Sequence, residues 1–303
     1  MLYALNQAEL PKAEKSKNPP DKPTLPSSSQ QTEKKVKNAI QNAELLPYLT
    51  NRMDQELKLG KKIKNHQPIN SPLICIIHGK EEDCSDTFIK RLRYHSLNTI
   101  IPDQIKQGVP QWHYITCDSF NREEDLHEKM WASLGKKITG NRFSEPETIA
   151  KVIAQQNCPV LLWTTLGSDK KGVQSIEFFL KFWQKWPQIL EQKYLLLICL
   201  SFKYKEEKAG FFSFFGKNKA YSNIQDYLEN LEKNNFSSFK LNGVVLPELT
   251  EIEQTQVEDW AKEYLGEIYE KLQPKIKKLF EKQKKIAMQT LSEELDKMLK
   301  EFA

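Results

Sequence analysis

The residues of this sequence with the clearest chemical potential form a short loop that begins at Gly79 and Lys80. An apolar run precedes the loop and a helical pattern follows it. A strand, a glycine, a short loop and a helix form the frame of a phosphate-binding loop, whose pattern is GxxxxGK followed by Ser or Thr. In that frame Gly79 occupies the first glycine position. The second glycine, the lysine and the Ser/Thr are replaced by Cys84, Ser85 and Asp86.

Each of these replacements removes a function that a nucleotide site needs. The side chain of Cys84 crowds the approach of backbone N–H groups to phosphate, and Ser85 carries no charge to neutralise the phosphates. Asp86 places a carboxylate where a hydroxyl would hold magnesium. Three further acids follow Lys80, and like charges this close repel a triphosphate; they are Glu81, Glu82 and Asp83. We interpret the loop as vestigial and expect no catalytic residue, no bound nucleotide, no metal and no other cofactor.

A second position that nucleotide hydrolysis requires also lacks its residue. An ATPase of this architecture carries a magnesium-binding acid at the end of its third strand. The corresponding run here, 158–169, reads CPVLLWTTLGSD and has no acid at the strand tip. Asp169 follows four residues past Thr165, beside Lys170 and Lys171. We interpret this acid as part of a solvated loop, because connecting segments usually run over the surface.

Five short apolar runs predict the strands that must position these loops. Each run is continuous and bounded by breakers, as in strands buried on both faces. The predicted strands are 73–78, 112–117, 160–165, 194–202 and 239–245, and helical patterns lie at 84–95, 123–134, 146–157, 173–192 and 222–235. This alternation predicts an α/β fold with a five-stranded, mostly parallel sheet sandwiched by helices. Ligands of such sheets bind at the carboxyl ends of the strands.

The chain divides into three parts by composition. Residues 1–42 are rich in Pro, Lys and Ser, so we predict a disordered arm or linker that cannot bury enough apolar surface to fold. Residues 43–250 form the predicted α/β domain, which opens with a helix over 43–64. Residues 251–303 carry two apolar stripes at helical spacing, and we predict two helices separated by Pro274. A linker of this length normally joins two units, so we expect either a further domain upstream or a free arm.

The overall composition argues against several classes of protein. The 303 residues are 39% hydrophobic and 28% charged, with a net charge of +5. Residues 1–41 carry +3 and residues 262–303 carry +2, so the middle of the chain is neutral, which is weak for a nucleic-acid-binding domain. No apolar stretch approaches the roughly 18–20 residues of a membrane span, and the N-terminus lacks a secretory pattern. Five widely spaced cysteines without zinc spacing indicate a reduced, cytoplasmic protein.

One segment after the fourth predicted strand is both aromatic and basic. Residues 203–219 read KYKEEKAGFFSFFGKNK and contain four phenylalanines between Lys208 and Lys217. These candidate interaction residues are Phe211, Phe212, Phe214 and Phe215. Such a loop suits contact with a partner protein or an anionic membrane. The alternative is that one or two of the rings pack on the rim of the sheet.

The histidines give no catalytic or metal-binding constellation. No two of the five histidines have the spacing of metal ligands, and the sequence has no GxSxG nucleophile motif. His78 precedes Gly79 at the end of a predicted strand, where a catalytic or metal role would need Cys84 or Asp86 as a partner. We expect His78 instead to be satisfied by the backbone, as buried polar groups usually are hydrogen-bonded.

Several short runs, taken together, resemble one protein family. Residues 46–52 (LPYLTNR) and 71–79 (SPLICIIHG) are similar to the opening of the STAND class of signalling NTPases. They are closest to its inactive branch, inactive STAND, in which the phosphate loop is degenerate. Four later runs resemble the end of the same domain: 246–249 (LPEL), 257–260 (VEDW), 286–288 (IAM) and 291–295 (LSEEL).

This resemblance implies a fold and a biological setting. It implies an AAA-like core of the P-loop NTPase type with a C-terminal helical part, over roughly residues 43–303. It also implies a role in bacterial conflict or defence signalling. In that family an upstream helical adaptor recruits an effector such as a protease.

Three functions from different classes follow from these observations. The first is a non-catalytic NTPase-fold module for signalling or scaffolding, with effector or adaptor modules as its protein partners. The second is a nucleotide-binding switch with weak or no ATPase activity, in which Lys80 or a remote lysine replaces the missing one. The third is a nucleic-acid or membrane-surface adaptor that uses the basic ends and the Phe-rich loop. The first is favoured, because the frame of the phosphate loop is kept while every chemical residue after Gly79 is replaced.

Overall fold

Five parallel strands form the central sheet of the structure, a computed structural model that describes residues 52–301 except 67–69, 84, 106–109, 118–119, 168–171, 190 and 205–218. The strands are β1 (Leu73–Lys80), β2 (Gln111–Tyr114), β3 (Val160–Gly167), β4 (Leu196–Tyr204) and β5 (Asn242–Val245). Their order is β2-β3-β4-β1-β5, so β4 is central and β1 lies beside it. All pairings are parallel, and the carboxyl ends of the strands meet at one edge of the sheet.

Helices cover both faces of this sheet. They are α1 (Met53–Lys64), α2 (Ser85–Arg91), α3 (Leu97–Ile100), α4 (Pro102–Ile105), α5 (Glu123–Ile138), α6 (Pro146–Ala154), α7 (Val173–Gln184) and α8 (Lys219–Lys233). Alternate side chains of β1 face opposite layers, as the period of a strand requires. Ile74 and Ile76 join the core under α5–α8, whereas Cys75 and Ile77 join the core under α1–α3. This is the five-stranded parallel sheet sandwiched by helices that the sequence predicted.

The C-terminal helical part has three helices where the sequence predicted two. They are α9 (Gln254–Leu265), α10 (Glu267–Phe280) and α11 (Met288–Lys300), and a short antiparallel pair, β6 (Ile252–Glu253) and β7 (Lys285–Ile286), closes the unit. Pro274 lies inside α10, so the predicted break at that residue was wrong. The break falls at Gly266, whose φ of +54° is a conformation that favours glycine.

Packing explains why Pro274 does not end its helix. A proline in a helix removes one backbone hydrogen bond and clashes with the preceding turn. One face of α10 is nevertheless buried in a third hydrophobic core, through Ile268, Leu272, Ile276 and Phe280. Tertiary packing of an apolar face supplies most of a helix's stability in proteins, and here it outweighs the lost hydrogen bond.

Several predicted boundaries shift at the ends of elements. The predicted helix over 43–64 is described from Met53 onward, because Arg52 has a non-helical backbone with φ −130° and ψ 44°. Its first part, 43–51, lies outside the described residues, as does the predicted arm. β5 begins later than predicted, because the left-handed Lys240 (φ +53°) ends a 3₁₀ turn just before it. The division of the chain into three domains stays a prediction.

Candidate functional site

The carboxyl edge of β1 brings the predicted phosphate-loop residues together in a tight turn. β1 continues through Gly79 to Lys80, a 3₁₀ turn follows over Glu81–Asp83, and α2 begins at Ser85. Cys84 lies outside the described residues. Helix α2 has only seven residues before the π-helical turn Leu92–Ser96. The frame of strand, turn and helix is therefore present, but the wide backbone loop of a phosphate cradle is replaced by one 3₁₀ turn.

Gly79 is needed here for packing against the protein's own chain. The segment 246–250 continues from β5 along β1, where the amide of Leu249 donates to the carbonyl oxygen of His78 at 2.8 Å. A Cβ atom on Gly79 would lie 2.8 Å from the carbonyl oxygen of Leu249 and 2.9 Å from its Cβ. No side chain fits in that space. The close approach that a phosphate would make in a nucleotide-binding protein is made instead by the segment 246–250.

Ser85 and Asp86, which replace the lysine and the hydroxyl of a phosphate loop, make side-chain contacts with β4. Ser85 and Ser201 are both buried, and their hydroxyls hydrogen-bond each other across the space between α2 and β4. Asp86 is the next residue of α2 after Ser85, and one of its carboxylate oxygens lies 3.0 Å from the ammonium of Lys203 in β4. The first two side chains of α2 thus point to the neighbouring strand, where they bond groups of the protein itself.

A buried arginine lies at the same turn and comes from the segment before α1. Arg52 is 7% exposed, and its guanidinium donates to the carbonyl oxygen of Thr250 at 2.7 Å and to that of Asp83 at 3.4 Å. In the first turn of α1, the side-chain amide of Gln55 donates to the backbone carbonyl oxygen of Glu248 at 3.2 Å. Together these bonds attach the start of α1 to the turn and to the segment that leads into the C-terminal helices.

Asp83 is the buried acid of this turn. It is 2% exposed, and burial raises its pKa to about 6, while the positive charge of Arg52 acts in the opposite direction. Its Oδ1 atom has no hydrogen-bond partner among the described residues. Helix α11, the last helix of the C-terminal part, packs against the same 3₁₀ turn. The turn is therefore enclosed by the protein on several sides.

A second polar network lies beside the turn and starts at His78. Its Nε2 atom donates to the carbonyl oxygen of Leu246 at 2.9 Å, and its Nδ1 atom accepts from the hydroxyl of Tyr204. Burial lowers the pKa of His78 to about 4, so the ring is neutral at physiological pH. The expectation that backbone satisfies this histidine is confirmed, with Tyr204 as an additional partner that the sequence did not reveal.

The same network joins Tyr204 and Tyr221, which lie on either side of the four phenylalanines in the sequence. The hydroxyl of Tyr221 donates to Glu248 at 2.8 Å, and Gln225 donates to Tyr204 and to Glu248. The rings of Tyr204 and Tyr221 meet edge to face, with 5.1 Å between their centroids. The four predicted interaction residues, Phe211, Phe212, Phe214 and Phe215, lie outside the described residues.

Among the described residues, the tip of β3 carries no acid at this edge of the sheet. The strand ends at Gly167, and Thr164 turns its hydroxyl inward to the carbonyl oxygen of Ile115 at 2.7 Å. Asp169 and its two lysine neighbours lie outside the described residues. Within the part of the chain that the structure describes, no group of three His, Cys, Asp or Glu side chains is placed to hold a metal ion.

Four residues at this edge were missed by reasoning from sequence. They are Arg52, Ser201, Lys203 and Leu249. Ser201 and Lys203 become visible only when β4 is known to lie next to β1. Arg52 and Leu249 had a signal, since each belongs to a run that resembles the STAND family. Their contacts with the turn could not be read from that resemblance.

Comparison with known proteins gives one family and several distant folds. No curated protein sequence matches the chain. Among solved structures, the Aeropyrum pernix ORC1 protein in complex with DNA has 12% identity and a TM-score of 0.34, covering 72% of this chain and 50% of its own. Drosophila ORC bound to GC-rich DNA and Cdc6 has 9% identity and a TM-score of 0.39, covering 84% and 38%. The E. coli MS115-1 HORMA:CdnC:Trip13 complex has 9% identity and a TM-score of 0.30, covering 80% and 73%.

The structural likenesses are distant, and the chain spans only about half or less of the first two matched chains. Nothing about the ligand of this chain follows from them. The family comparison is more specific, because the model of inactive STAND matches residues 47–201. That range contains β1 to most of β4, and with them the degenerate turn and Ser201. With a match over about half of its length, this chain belongs to the inactive STAND family.

Proposed function

We propose that this chain is a non-catalytic NTPase-fold module that acts by protein–protein interaction in signalling or scaffolding within a bacterial conflict or defence system. The observation that carries the proposal is the way in which the turn after β1 is filled. Ser85 bonds Ser201, Asp86 pairs with Lys203, and Gly79 is in contact with Leu249. These three positions of the phosphate-loop frame are engaged by the protein's own chain.

The electrostatics of the turn support the same proposal. The 3₁₀ turn Glu81–Asp83 is entirely acidic, and Asp86 follows it at the start of α2. The nearby cations Arg52 and Lys203 are engaged with groups of the protein. Bringing a triphosphate here would require breaking these contacts and placing like charges together in a partly buried site, where Coulomb repulsion is poorly screened.

The proposed partners are effector or adaptor modules, and the proposed location is the cytoplasm. None of the described helices has both the length and the apolarity of a membrane span. We propose the four phenylalanines of the Phe-rich segment as the residues that contact the partner. The network of Tyr204, Tyr221 and Glu248 holds both ends of that segment at the carboxyl edge of the sheet.

Replacing Phe212 and Phe215 together with serine is expected to abolish retention of the partner without lowering the melting temperature. Large apolar side chains supply most of the energy of an interface, and those at its centre commonly cost about 2 kcal/mol or more when truncated. The measurement is a pull-down with the tagged full-length chain from a lysate of the native host. Phe143→Ser is the matched control, because Phe143 is 78% exposed on a different loop. Equal retention by the double variant and the wild type would exclude the Phe-rich segment as the contact.

A further inference from the structure

The outer face of α1 exposes large apolar side chains beside a groove. Met53 is 57% exposed and Leu57, one turn later, is 65% exposed. A groove of about 750 Å³ runs along the helix, between α1 and the layer formed by α3 and the π-helical turn. Gly60 and Ile100 meet along this groove, where a Cβ atom on Gly60 would lie 3.5 Å from Ile100. The absence of a side chain at Gly60 deepens the groove next to Leu57.

The charges on this face of α1 are separated along the helix. Asp54 lies in the first turn, and Lys61 and Lys64 lie in the last turn. All three are exposed, and none of their side chains forms an ion pair or hydrogen bond with another described residue. Glu56 differs, because it turns inward to Arg91 at 2.6 Å. The exposed face is therefore acidic at one end, apolar in the middle and basic at the other end.

A surface with this order of charges is complementary to a second copy of itself. When two such helices lie antiparallel, Asp54 of each faces Lys64 of the other. In this alignment the twofold axis passes the two helices at the level of residue 59. Leu57 of each copy therefore lies opposite Lys61 of the other, just as Asp54 lies opposite Lys64. Leu57 of one copy then lies over the groove of the other, next to Gly60. A twofold axis produces every contact twice, as in an isologous interface.

We propose that this face of α1 is a homodimer interface in which two copies of the chain pair their α1 helices antiparallel. Asp54 and Lys64 of one face supply both halves of each ion pair, so these two charges need no other partner to complement them. The twelve residues of α1 are about 18 Å long, so the contact is small. We expect a weak dimer with a micromolar dissociation constant, as for interfaces at the low end of the size range. The proposal is independent of whether the turn after β1 binds nucleotide.

Sedimentation equilibrium of the full-length chain, from about 1 to 200 µM, tests the proposal over the range in which such an interface would form. We expect a reversible dimer for the wild type and at least about a tenfold weaker dimer for Leu57→Glu, which is a change large enough to resolve by this method. Phe143→Glu is the control, since it places the same charge at an exposed aromatic remote from α1 and should leave the dissociation constant unchanged. A monomer at every concentration, or a dimer unaffected by Leu57→Glu, overturns the proposal.

Charge reversal tests the antiparallel register itself. Asp54→Lys and Lys64→Asp, made singly, each place like charges opposite each other and should weaken the dimer. The double variant re-forms both ion pairs in reversed order and should return the dissociation constant to within about twofold of the wild type, because complementarity is restored. Circular dichroism confirms that each variant folds. If the double variant dimerises as weakly as the single variants, the antiparallel register is wrong. If the wild type is monomeric because another segment or protein covers Leu57, the proposed interface is wrong.

Discussion

Replacing Arg52 with alanine is expected to destabilise the folded chain by about 2–4 kcal/mol near neutral pH, which is the range for removing one partner of a buried charged network. The guanidinium donates to the carbonyl oxygens of Thr250 and Asp83, and its positive charge stabilises the Asp83 carboxylate. Its loss leaves the carbonyl oxygens of Thr250 and Asp83 without their donor, and the buried Asp83 carboxylate without its cation. Urea denaturation followed by tryptophan fluorescence measures the change, with Trp183 in the sheet domain and Trp260 in the C-terminal helices both buried.

The destabilisation by Arg52→Ala should depend on pH in a defined direction. Burial raises the pKa of Asp83 to about 6 from an ordinary value of 3.8, so the folded state favours its protonated form. The stabilisation from that protonation is complete below about pH 3.8 and is lost as the pH rises through 6. The penalty of Arg52→Ala should therefore be smaller at pH 5 than at pH 7.5, because a neutral Asp83 needs no cation.

Two controls separate the charge of Arg52 from its geometry. Arg52→Lys keeps the charge but lacks the planar fork that reaches two carbonyl groups, so an intermediate loss is expected. Arg122→Ala removes an exposed arginine that pairs with Asp125 on the surface, and it should change the free energy of unfolding by less than about 0.5 kcal/mol. A loss of equal size at both pH values would contradict the interaction between the charge of Arg52 and the Asp83 carboxylate.

Replacing Gly79 with alanine is the second large effect that the structure predicts, a destabilisation of about 1–3 kcal/mol, as for other overpacked sites. The new Cβ atom would lie 2.8 Å from the carbonyl oxygen of Leu249, so the segment 246–250 would have to move. That segment also carries the acceptors of Arg52, Gln55 and His78. Thermal and urea unfolding measure the loss. The same substitution in a phosphate-binding loop would act on the ligand and much less on the apo protein.

Gly167 provides the matched control for Gly79. It ends β3 as Gly79 nears the end of β1, and a Cβ atom on Gly167 would meet no atom of the described residues within 4 Å. Gly167→Ala should be neutral or stabilise the chain by up to about 1 kcal/mol, because alanine restricts the unfolded state. If both substitutions had the same effect, contact with Leu249 would not be the reason for glycine at position 79.

Much of the fold could be predicted from the sequence because its strands are short apolar runs between breakers. The runs beginning at Leu73 and Val160 became β1 and β3 at the predicted starting residues. The predicted helix break at Pro274 was wrong, because the local preference of proline takes no account of the core that α10 shares with its neighbours. Gly266 was the better signal for a helix end, but its positive φ could not be read from residue type alone.

For the turn after β1, the sequence could predict only which groups of a phosphate-binding loop are missing. Residue types at Cys84, Ser85 and Asp86 indicate what the loop lacks, because each departs from a pattern with known chemistry. What occupies the vacated positions depends on neighbours across the sheet. The contact of Asp86 with Lys203 joins residues 117 positions apart, and that of Arg52 with Thr250 joins residues 198 apart. Neither pairing has a local pattern in the sequence.

Isothermal titration of the full 303-residue chain with Mg-ATP is the most direct test of the central claim, that the turn after β1 is filled by the protein and binds no nucleotide. We predict no saturable heat up to about 1 mM ligand, which corresponds to binding weaker than about −4 kcal/mol. A micromolar dissociation constant, about −8 kcal/mol, would contradict the claim, because nucleotide could bind so tightly only if the contacts of Ser85, Asp86 and Arg52 gave way to phosphate.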